Sequence, residues 1–430
     1  MTRLSRTAPR TPSRAPSRAT ARASGPRLVA AAAALALPLS AAVPLAAAPA
    51  SAGDDADASA RRSATQVADT SFDAGHELRP GSRNGTRIAR GSVRLKKPTK
   101  QRTYDGRRYD VGVWTSPWVA PGFGFTELIP SWQATTPGDS WVEVKARVQA
   151  ADGSTGSWDT VARWTSGTRG IRRTTLGSQD DDLARVATDT VKVADPAGAT
   201  GWQLKVQLVR RQGTKAAPSL DRVGAMASRV APRGATSQPG PGAGTVLDVP
   251  TYSQMTHRGH YPQWGNGGEA WCSPTSLAMV LDFYGVLPEA ARSFGGGHTD
   301  AVVDHTAQQV YDHGYRGTGN WAFNTAYAGT LLPRTRVTRL PDLRAAEEHV
   351  AAGTPLIVSV AFGPGQLPGA PISSTAGHLM VVVGFTATGD VVVNDPAASS
   401  NAGVRRTYPR AQFEQVWLDG SGGLTYVLED

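Results

Sequence analysis

The stretch Glu269-Ala-Trp-Cys-Ser-Pro-Thr-Ser-Leu-Ala-Met-Val-Leu-Asp-Phe-Tyr-Gly285 contains Cys272, the only cysteine of the 430-residue chain. Apolar residues recur after it at the spacing of one helix face, and Gly285 is a natural helix end. Ser273 is the predicted N-cap, and Pro274 suits the first turn because its missing N–H costs no hydrogen bond there. The pattern predicts a helix with a lone thiol at its N-terminus, where the helix dipole favours a thiolate.

Residues 1–52 have the composition of an export signal. Seven arginines precede a run rich in Ala, Leu and Val, and Ala50-Ser-Ala52 fits a small-x-small cleavage site. An uncleaved membrane anchor is the alternative, which two prolines in the apolar run disfavour. We therefore expect a secreted, extracellular protein that is free of the membrane after cleavage. A lone cysteine in such a protein favours a reactive thiol over a buried small side chain or an intermolecular bridge.

The net charge of +10 is concentrated at the start of the chain. The seven arginines of residues 1–52 are accompanied by no lysine and no acidic residue, so the remainder carries only +3. A charge this small gives little support to nucleic-acid binding. We expect no nucleic-acid partner.

The rest of the chain changes in composition several times. Residues 53–71 are polar and predicted to be disordered. Residues 72–230 contain short Val-, Trp- and Thr-rich runs between turn residues, which predicts an all-β sandwich that serves as an accessory or binding domain. Residues 231–245 are rich in Pro and Gly and predict a linker. Residues 246–430 place helices first and strands last, which predicts an α+β domain.

Seven of the eleven tryptophans lie within residues 72–230. They could form a platform on which sugar rings stack, or they could pack the core and edges of the sandwich. Packing is the favoured interpretation, because large aromatic side chains usually supply buried area. Trp118, which lies between Pro117 and a Pro-Gly-rich loop, is the best candidate for ligand contact.

Thiol catalysis needs a base, a group that orients the base and donors for the oxyanion. His378 opens an apolar run, and Asp395 follows 17 residues later at the end of the next strand. An antiparallel hairpin would bring the two side chains together, and a bulge would help the register. Asn394 is the alternative orienting residue, but a regular strand points it to the opposite face. Gln254, upstream of the thiol, is a candidate oxyanion donor.

Four segments in this order resemble papain-fold cysteine peptidases of the bacteriocin-leader-processing (C39-like) type, in the secreted bacterial branch with an N-terminal β domain. They are Val249-Pro-Thr-Tyr-Ser-Gln254, Trp271–Gly285, Ala376-Gly-His-Leu-Met-Val-Val-Val-Gly384 and Val393-Asn-Asp-Pro396. The resemblance implies a papain-like cysteine peptidase domain over residues 246–430. The resemblance as a whole extends over about residues 110–428.

The resemblance implies a role for each of four residues. Cys272 would be the nucleophile, His378 the base, Asp395 the orienting residue and Gln254 the oxyanion-hole residue. Ser273 departs from the family, which usually has glycine directly after the nucleophile. The sequence also has no Gly-x4-Gly-Lys-Ser/Thr loop of the kind found in exporter relatives, so their double-glycine leader substrate is not carried over.

We predict a cysteine peptidase that hydrolyses peptide or isopeptide bonds, acts as a monomer on a peptide or protein and needs no cofactor or metal. Cell-wall material is one source of that substrate, and Trp321 and Asn324 are predicted substrate contacts. The alternatives are a cell-wall amidase, a transglutaminase-like acyl transferase or a catalytically silent binding protein. Four other residues could suggest a metal site, but their spacing matches no common metal site. They are His298, Asp300, Asp304 and His305.

Overall fold

Alternating apolar and polar residues dominate the first half of the chain, and strands form there. The computed structural model describes residues 64–430, except residues 74, 169, 178 and 297. The predicted export signal at residues 1–52 and residues 53–63 of the predicted disordered segment lie outside the described residues. The prediction of disorder is wrong for the end of that segment, because Gln66–Phe72 forms a strand. In the described first half the strands are β1 (Gln66–Phe72), β2 (Ser82–Asn84), β3 (Thr86–Ala89), β4 (Ser92–Leu95), β5 (Lys100–Tyr104), β6 (Arg107–Thr115), β7 (Glu127–Thr135), β8 (Trp141–Gln149), β9 (Asp159–Trp164), β10 (Ala184–Ala187), β11 (Thr190–Val193), β12 (Gly201–Arg211) and β13 (Ser219–Arg229).

These strands form two antiparallel sheets that face each other. One has the order β10-β11-β7-β13-β4-β3, with β1 also paired to β13, and the other has the order β2-β6-β12-β8-β9, with β5 paired to β6. The ring of Phe72 in the first sheet lies 5.6 Å from that of Trp114 and 6.5 Å from that of Trp202, both in the second. The apolar faces of the two sheets therefore share one core.

The tryptophans of this half mostly supply that core. Five of them are fully buried, namely Trp114, Trp132, Trp141, Trp164 and Trp202. The packing interpretation is therefore confirmed for these five. Trp118 differs, because 37% of it is exposed and the Arg147 guanidinium stacks 4.9 Å from its ring centre.

The second half of the described chain combines helices with a third antiparallel sheet. Its helices are α1 (Cys272–Phe283), α2 (Glu289–Arg292), α3 (Ala301–Val310), α4 (Trp321–Ala328), α5 (Leu343–Ala351) and α6 (Arg410–Ser421). Its strands are β14 (Arg334–Arg339), β15 (Leu356–Phe362), β16 (Thr375–Phe385), β17 (Val391–Asn394), β18 (Arg405–Tyr408) and β19 (Leu424–Glu429), in the sheet order β14-β19-β15-β16-β17-β18. Over its whole described length the chain is mostly β. Within that part, no helix is both long and apolar enough to cross a membrane.

The start of α1 differs from the prediction. The helix begins at Cys272 itself, and its N-cap is Trp271, which makes no side-chain capping bond. Ser273 is therefore not the cap but the second helical residue. Its buried hydroxyl contacts the Tyr426 hydroxyl at 3.1 Å. The predicted end is close: α1 stops at Phe283, and Gly285 follows with a φ of +66°.

The two halves are joined by a continuous interface. Phe323 of α4 packs against Trp132 and Trp164 of the first half, with ring centres 6.2 and 5.4 Å apart. A hydrogen bond also joins the two halves, because the Val337 N–H donates to the Ser131 hydroxyl at 3.0 Å. The Pro/Gly-rich segment 231–245 is held as well, because the Gly242 N–H donates to a Glu347 carboxylate in α5. The sheets of the first half are therefore packed onto the second half along much of its surface.

Candidate active site

The thiol of Cys272 is placed beside His378 by the packing of α1 on β16. The Ser276 hydroxyl, one turn into the helix, donates to the Leu379 carbonyl at 3.1 Å. This contact fixes the first turn of α1 against the strand that carries His378. Cys272 is half-buried, whereas His378 is only 3% exposed. The two side chains line the same cleft, and each shifts the pKa of the other.

Asp395 reaches the far side of the same imidazole. His378 Nε2 lies 2.8 Å from Asp395 Oδ1, so Nδ1 is the ring nitrogen left to face the thiol. The register shifts between Val382 and Gly384 in the β16–β17 pair, which agrees with the expectation that a bulge would help the hairpin register. Asp395 also accepts hydrogen bonds from the Ala397 N–H at 3.0 Å and the Tyr408 hydroxyl at 3.0 Å. These contacts hold the carboxylate in one orientation.

Asn394, the alternative orienting residue, points elsewhere. Its amide nitrogen donates to the Pro250 carbonyl at 3.0 Å, and its oxygen accepts from Arg405 Nε at 2.6 Å. These contacts tie β17 to the segment that leads into Gln254. Asn394 therefore supports the site without contacting His378.

The thiol and the imidazole each shift the pKa of the other toward the charged form. Burial alone would raise the pKa of Cys272, but the hydrogen bond and charge of His378, with the backbone N–H groups of Leu379 and Ser273, hold that pKa below its usual value. Burial alone would lower the pKa of His378, yet the Asp395 carboxylate and the Cys272 thiolate raise it above its usual value. Opposite shifts of this kind favour a thiolate–imidazolium pair near neutral pH.

Gln254 lies on the same cleft, at the start of the 3₁₀ turn Gln254–His257. Its backbone N–H donates to the Pro396 carbonyl at 2.9 Å, directly beyond Asp395. Its side-chain nitrogen donates to the Glu269 carbonyl at 2.9 Å, which leaves its second amide hydrogen available. The N–H of Cys272 stands at the first position of α1, where it has no intrahelical acceptor. Gln254 and Cys272 thus both place a hydrogen-bond donor on the cleft that contains the thiol.

The cleft around the thiol has a volume of about 1120 Å³ and is lined by both halves of the chain. The first half contributes the turn between β10 and β11, at residues 187–190, and Lys192. The second half contributes Trp321, whose backbone N–H donates to the Asp189 carboxylate at 2.6 Å. Burial raises the pKa of Asp189 to about 6. The sequence does not predict that residues 187–190 line the cleft, because no local pattern relates them to a helix more than a hundred residues later.

The structure does not bring Asn324, the other predicted substrate contact, to the cleft. Its side chain is fully buried, and its amide nitrogen donates to the Thr318 and Asn320 carbonyls at 2.9 and 2.7 Å. These bonds hold the loop before α4 onto the helix. The position of Asn324 is that of a structural residue, whereas Trp321 is half-buried and lines the cleft.

Two family models match consecutive parts of the chain. Residues 68–228 match the Peptidase C39 N-terminal domain, and residues 246–423 match the Peptidase C39 like family. The chain belongs to the C39-like peptidases. Among solved structures, one described as a C39-like peptidase from Bacillus anthracis is 18% identical, covering 43% of this chain and 97% of that chain with a TM-score of 0.29. No curated protein gives a significant match.

Ser273 departs from the glycine usual in C39-like peptidases, and its surroundings account for it. The side chain is fully buried and does not line the cleft. Its hydroxyl is paired with the buried hydroxyl of Tyr426 in β19, whose pKa burial raises well above the usual value. Serine at this position therefore ties α1 to the sheet.

Replacing Ser273 by glycine is expected to lower stability while leaving the thiol chemistry intact. Losing the hydroxyl leaves the buried Tyr426 hydroxyl unpaired, which costs about 1–2 kcal/mol of unfolding free energy. Ser273→Ala is the matched control, since it removes the same hydroxyl but keeps Cβ. Urea unfolding and the rate of iodoacetamide labelling of Cys272 measure the two effects. A large fall in labelling rate in both variants would show that the hydroxyl acts on the thiol.

Proposed function

We propose that this C39-like family member is a cysteine peptidase that hydrolyses peptide or isopeptide bonds through Cys272. The supporting observation is that Cys272 and His378 share one cleft with pKa shifts of opposite sign, and that His378 Nε2 lies 2.8 Å from Asp395 Oδ1. A structural cysteine in an apolar environment would have a raised pKa instead. The arrangement, a thiol at a helix N-terminus packed on an antiparallel sheet that carries the base, supports a papain-like domain.

The residues suggest a sequence of proton transfers. The Cys272 thiolate attacks the scissile carbonyl, and the oxyanion accepts hydrogen bonds from the Gln254 amide and the Cys272 N–H. The His378 imidazolium then gives its proton to the leaving amine, and a thioester remains on Cys272. Neutral His378 next takes a proton from water, which attacks the thioester and releases the acid. The proton returned to His378 restores the thiolate–imidazolium pair.

The cleft is suited to an extended chain. Its volume is about 1120 Å³, and its lining includes Trp321 and the charged side chains of Glu127, Lys192 and Arg339. Glu127 accepts contacts from both cations, with Arg339 Nη2 at 2.5 Å and Lys192 Nζ at 3.1 Å. Mixed charges flanking an aromatic side chain fit a peptide or protein substrate. The export-signal composition of residues 1–52 supports an enzyme that acts outside the cell, and we propose that it acts as a monomer.

The test of this proposal combines thiol labelling with peptide cleavage. We expect Cys272 to react with iodoacetamide or an epoxide faster than free cysteine at pH 7, and a peptide library to be cleaved by the unmodified chain but not by Cys272→Ala. Labelling no faster than free cysteine would refute the activated thiol and favour a silent binding protein. Fast labelling with amide products formed only when an amine is added would identify an acyl transferase instead.

The pH dependence of kcat/KM is expected to be bell-shaped with a broad top. Activity rises with pH as the thiol loses its proton, and the lowered pKa of Cys272 moves this limb below its usual position near 9. Activity falls at higher pH as the imidazolium loses its proton, and the raised pKa of His378 moves this limb above 6.5. The two limbs report apparent values of the coupled pair. Stopped-time assays of a fluorogenic peptide across pH 4–11 measure them, and an alkaline limb near 6.5 would contradict the ion pair.

A further inference from the structure

A second group of polar side chains lies behind the cleft, and the proposed mechanism does not use it. His257 ends the 3₁₀ turn that begins at Gln254, His260 follows it, and Asp304 projects from the first turn of α3. His257 Nδ1 lies 3.2 Å from Asp304 Oδ2, and His260 Nδ1 lies 3.2 Å from Asp304 Oδ1. His257 and Asp304 are fully buried, and the side chain of His260 is 29% exposed.

The buried Asp304 carboxylate has few means of charge compensation. Within the described residues, its only ion-pair partners are these two imidazoles, and no Lys or Arg reaches it. His257 Nε2 is buried and has no hydrogen-bond partner. A buried carboxylate with no Lys or Arg beside it needs other partners to offset its lost hydration.

We propose that His257, His260 and Asp304 bind a divalent transition-metal ion of the zinc class. Imidazole nitrogen and carboxylate oxygen are the ligands such ions prefer, and the three donor atoms lie within 4.8 Å of one another. Metal–ligand bonds of about 2.0–2.1 Å in a tetrahedron separate neighbouring donors by about 3.3 Å. Each imidazole Nδ1 lies 3.2 Å from a different oxygen of Asp304, which is close to that separation. Donor atoms of the group that lie up to 4.8 Å apart would move closer together when the ion binds.

The open side of the group provides entry and room for a fourth ligand. His260 is the exposed member, and the ring of His298 lies beside it with a centroid separation of 4.8 Å. Sequence spacing did not show this group, because its ligands come from a turn and a helix more than forty residues apart. The expectation that the chain binds no metal is replaced by this proposal.

The ion would fasten the turn that carries Gln254 to α3. His257 is three residues after Gln254 in the same 3₁₀ turn, and it contacts Asp304 of α3. His260, just beyond the turn, contacts the same carboxylate. Binding energy at such a site adds to folding free energy, because the unfolded chain does not hold the three ligands together. The role is structural, so it does not depend on whether Cys272 is catalytic.

The test uses the full chain carrying Cys272→Ser, because the Cys272–His378 pair could itself bind zinc. We expect one Zn²⁺ per chain after dialysis, measured by elemental analysis, and the d–d absorption of a four-coordinate site on titration with Co²⁺. His260→Ala and Asp304→Asn are each expected to weaken Zn²⁺ binding by at least about 100-fold. His349→Gln, which changes a histidine on α5, is the matched control and should keep the metal.

Two results would overturn the proposal. One is the absence of stoichiometric Zn²⁺ and Co²⁺ binding in the Cys272→Ser chain, and the other is unchanged binding in both ligand variants. If a ligand variant fails to fold, the Cys272→Ser chain still decides the question, because a chelator should lower its Tm and added Zn²⁺ should restore it. A Tm that is insensitive to both additions would count against the site.

Discussion

Replacing His378 by alanine is expected to reduce kcat/KM for peptide cleavage by about 10³–10⁴-fold, because general acid–base catalysis and thiolate stabilisation are lost together. Without the imidazolium, burial of Cys272 is no longer opposed by its strongest charge partner, so the thiol pKa rises. The same variant should therefore label more slowly with iodoacetamide at pH 7. Measuring both rates on one preparation separates loss of the thiolate from loss of proton transfer to the leaving amine.

Two further variants control this experiment. His378→Gln keeps a polar side chain of similar length and should be nearly as inactive, since an amide cannot carry the proton. His349→Ala removes a half-buried histidine outside the cleft and should retain full activity. Normal labelling and cleavage in His378→Ala would mean that another group activates Cys272.

The neighbourhood of Cys272, His378 and Asp395 could be predicted because its determinants are local. The apolar face of α1 and the hairpin of β16 and β17 each lie within about 20 residues of sequence. The spacing of His378 and Asp395 indicated that a bulge would help, and the structure has one. The order of the four motif segments resembles a family pattern, and that resemblance predicts that the three residues share one cleft. Trp321 was also placed on that cleft, and the structure brings it there.

Features that depend on long-range packing could not be predicted. The local sequence predicts that Ser273 caps α1. Its hydroxyl instead contacts Tyr426, which is 153 residues later in the chain. Asp304 was grouped with its sequence neighbours, whereas its contacts are with His257 and His260. The cleft wall at residues 187–190 comes from a sheet that local pattern linked only to a separate accessory domain. In each case tertiary contacts, not propensity, decide what the side chain does.

Replacing Asp395 by alanine is expected to lower kcat/KM between about 10²- and 10⁴-fold. The carboxylate holds His378 Nε2 at 2.8 Å, and its charge contributes to the raised pKa of the imidazole. Alanine removes both the acceptor and the charge. It also leaves the Tyr408 hydroxyl without its partner, so a melting curve must accompany the activity measurement.

Asp395→Asn separates orientation from charge. The asparagine oxygen can still accept a hydrogen bond from His378 Nε2, so the fall in kcat/KM should be smaller than for alanine. The negative charge is gone, however, so the pKa of His378 falls and the imidazolium is lost at lower pH. The alkaline limb of the pH profile should therefore shift to lower pH in Asp395→Asn. An alkaline limb that stays in place while activity falls would show that Asp395 acts through geometry alone.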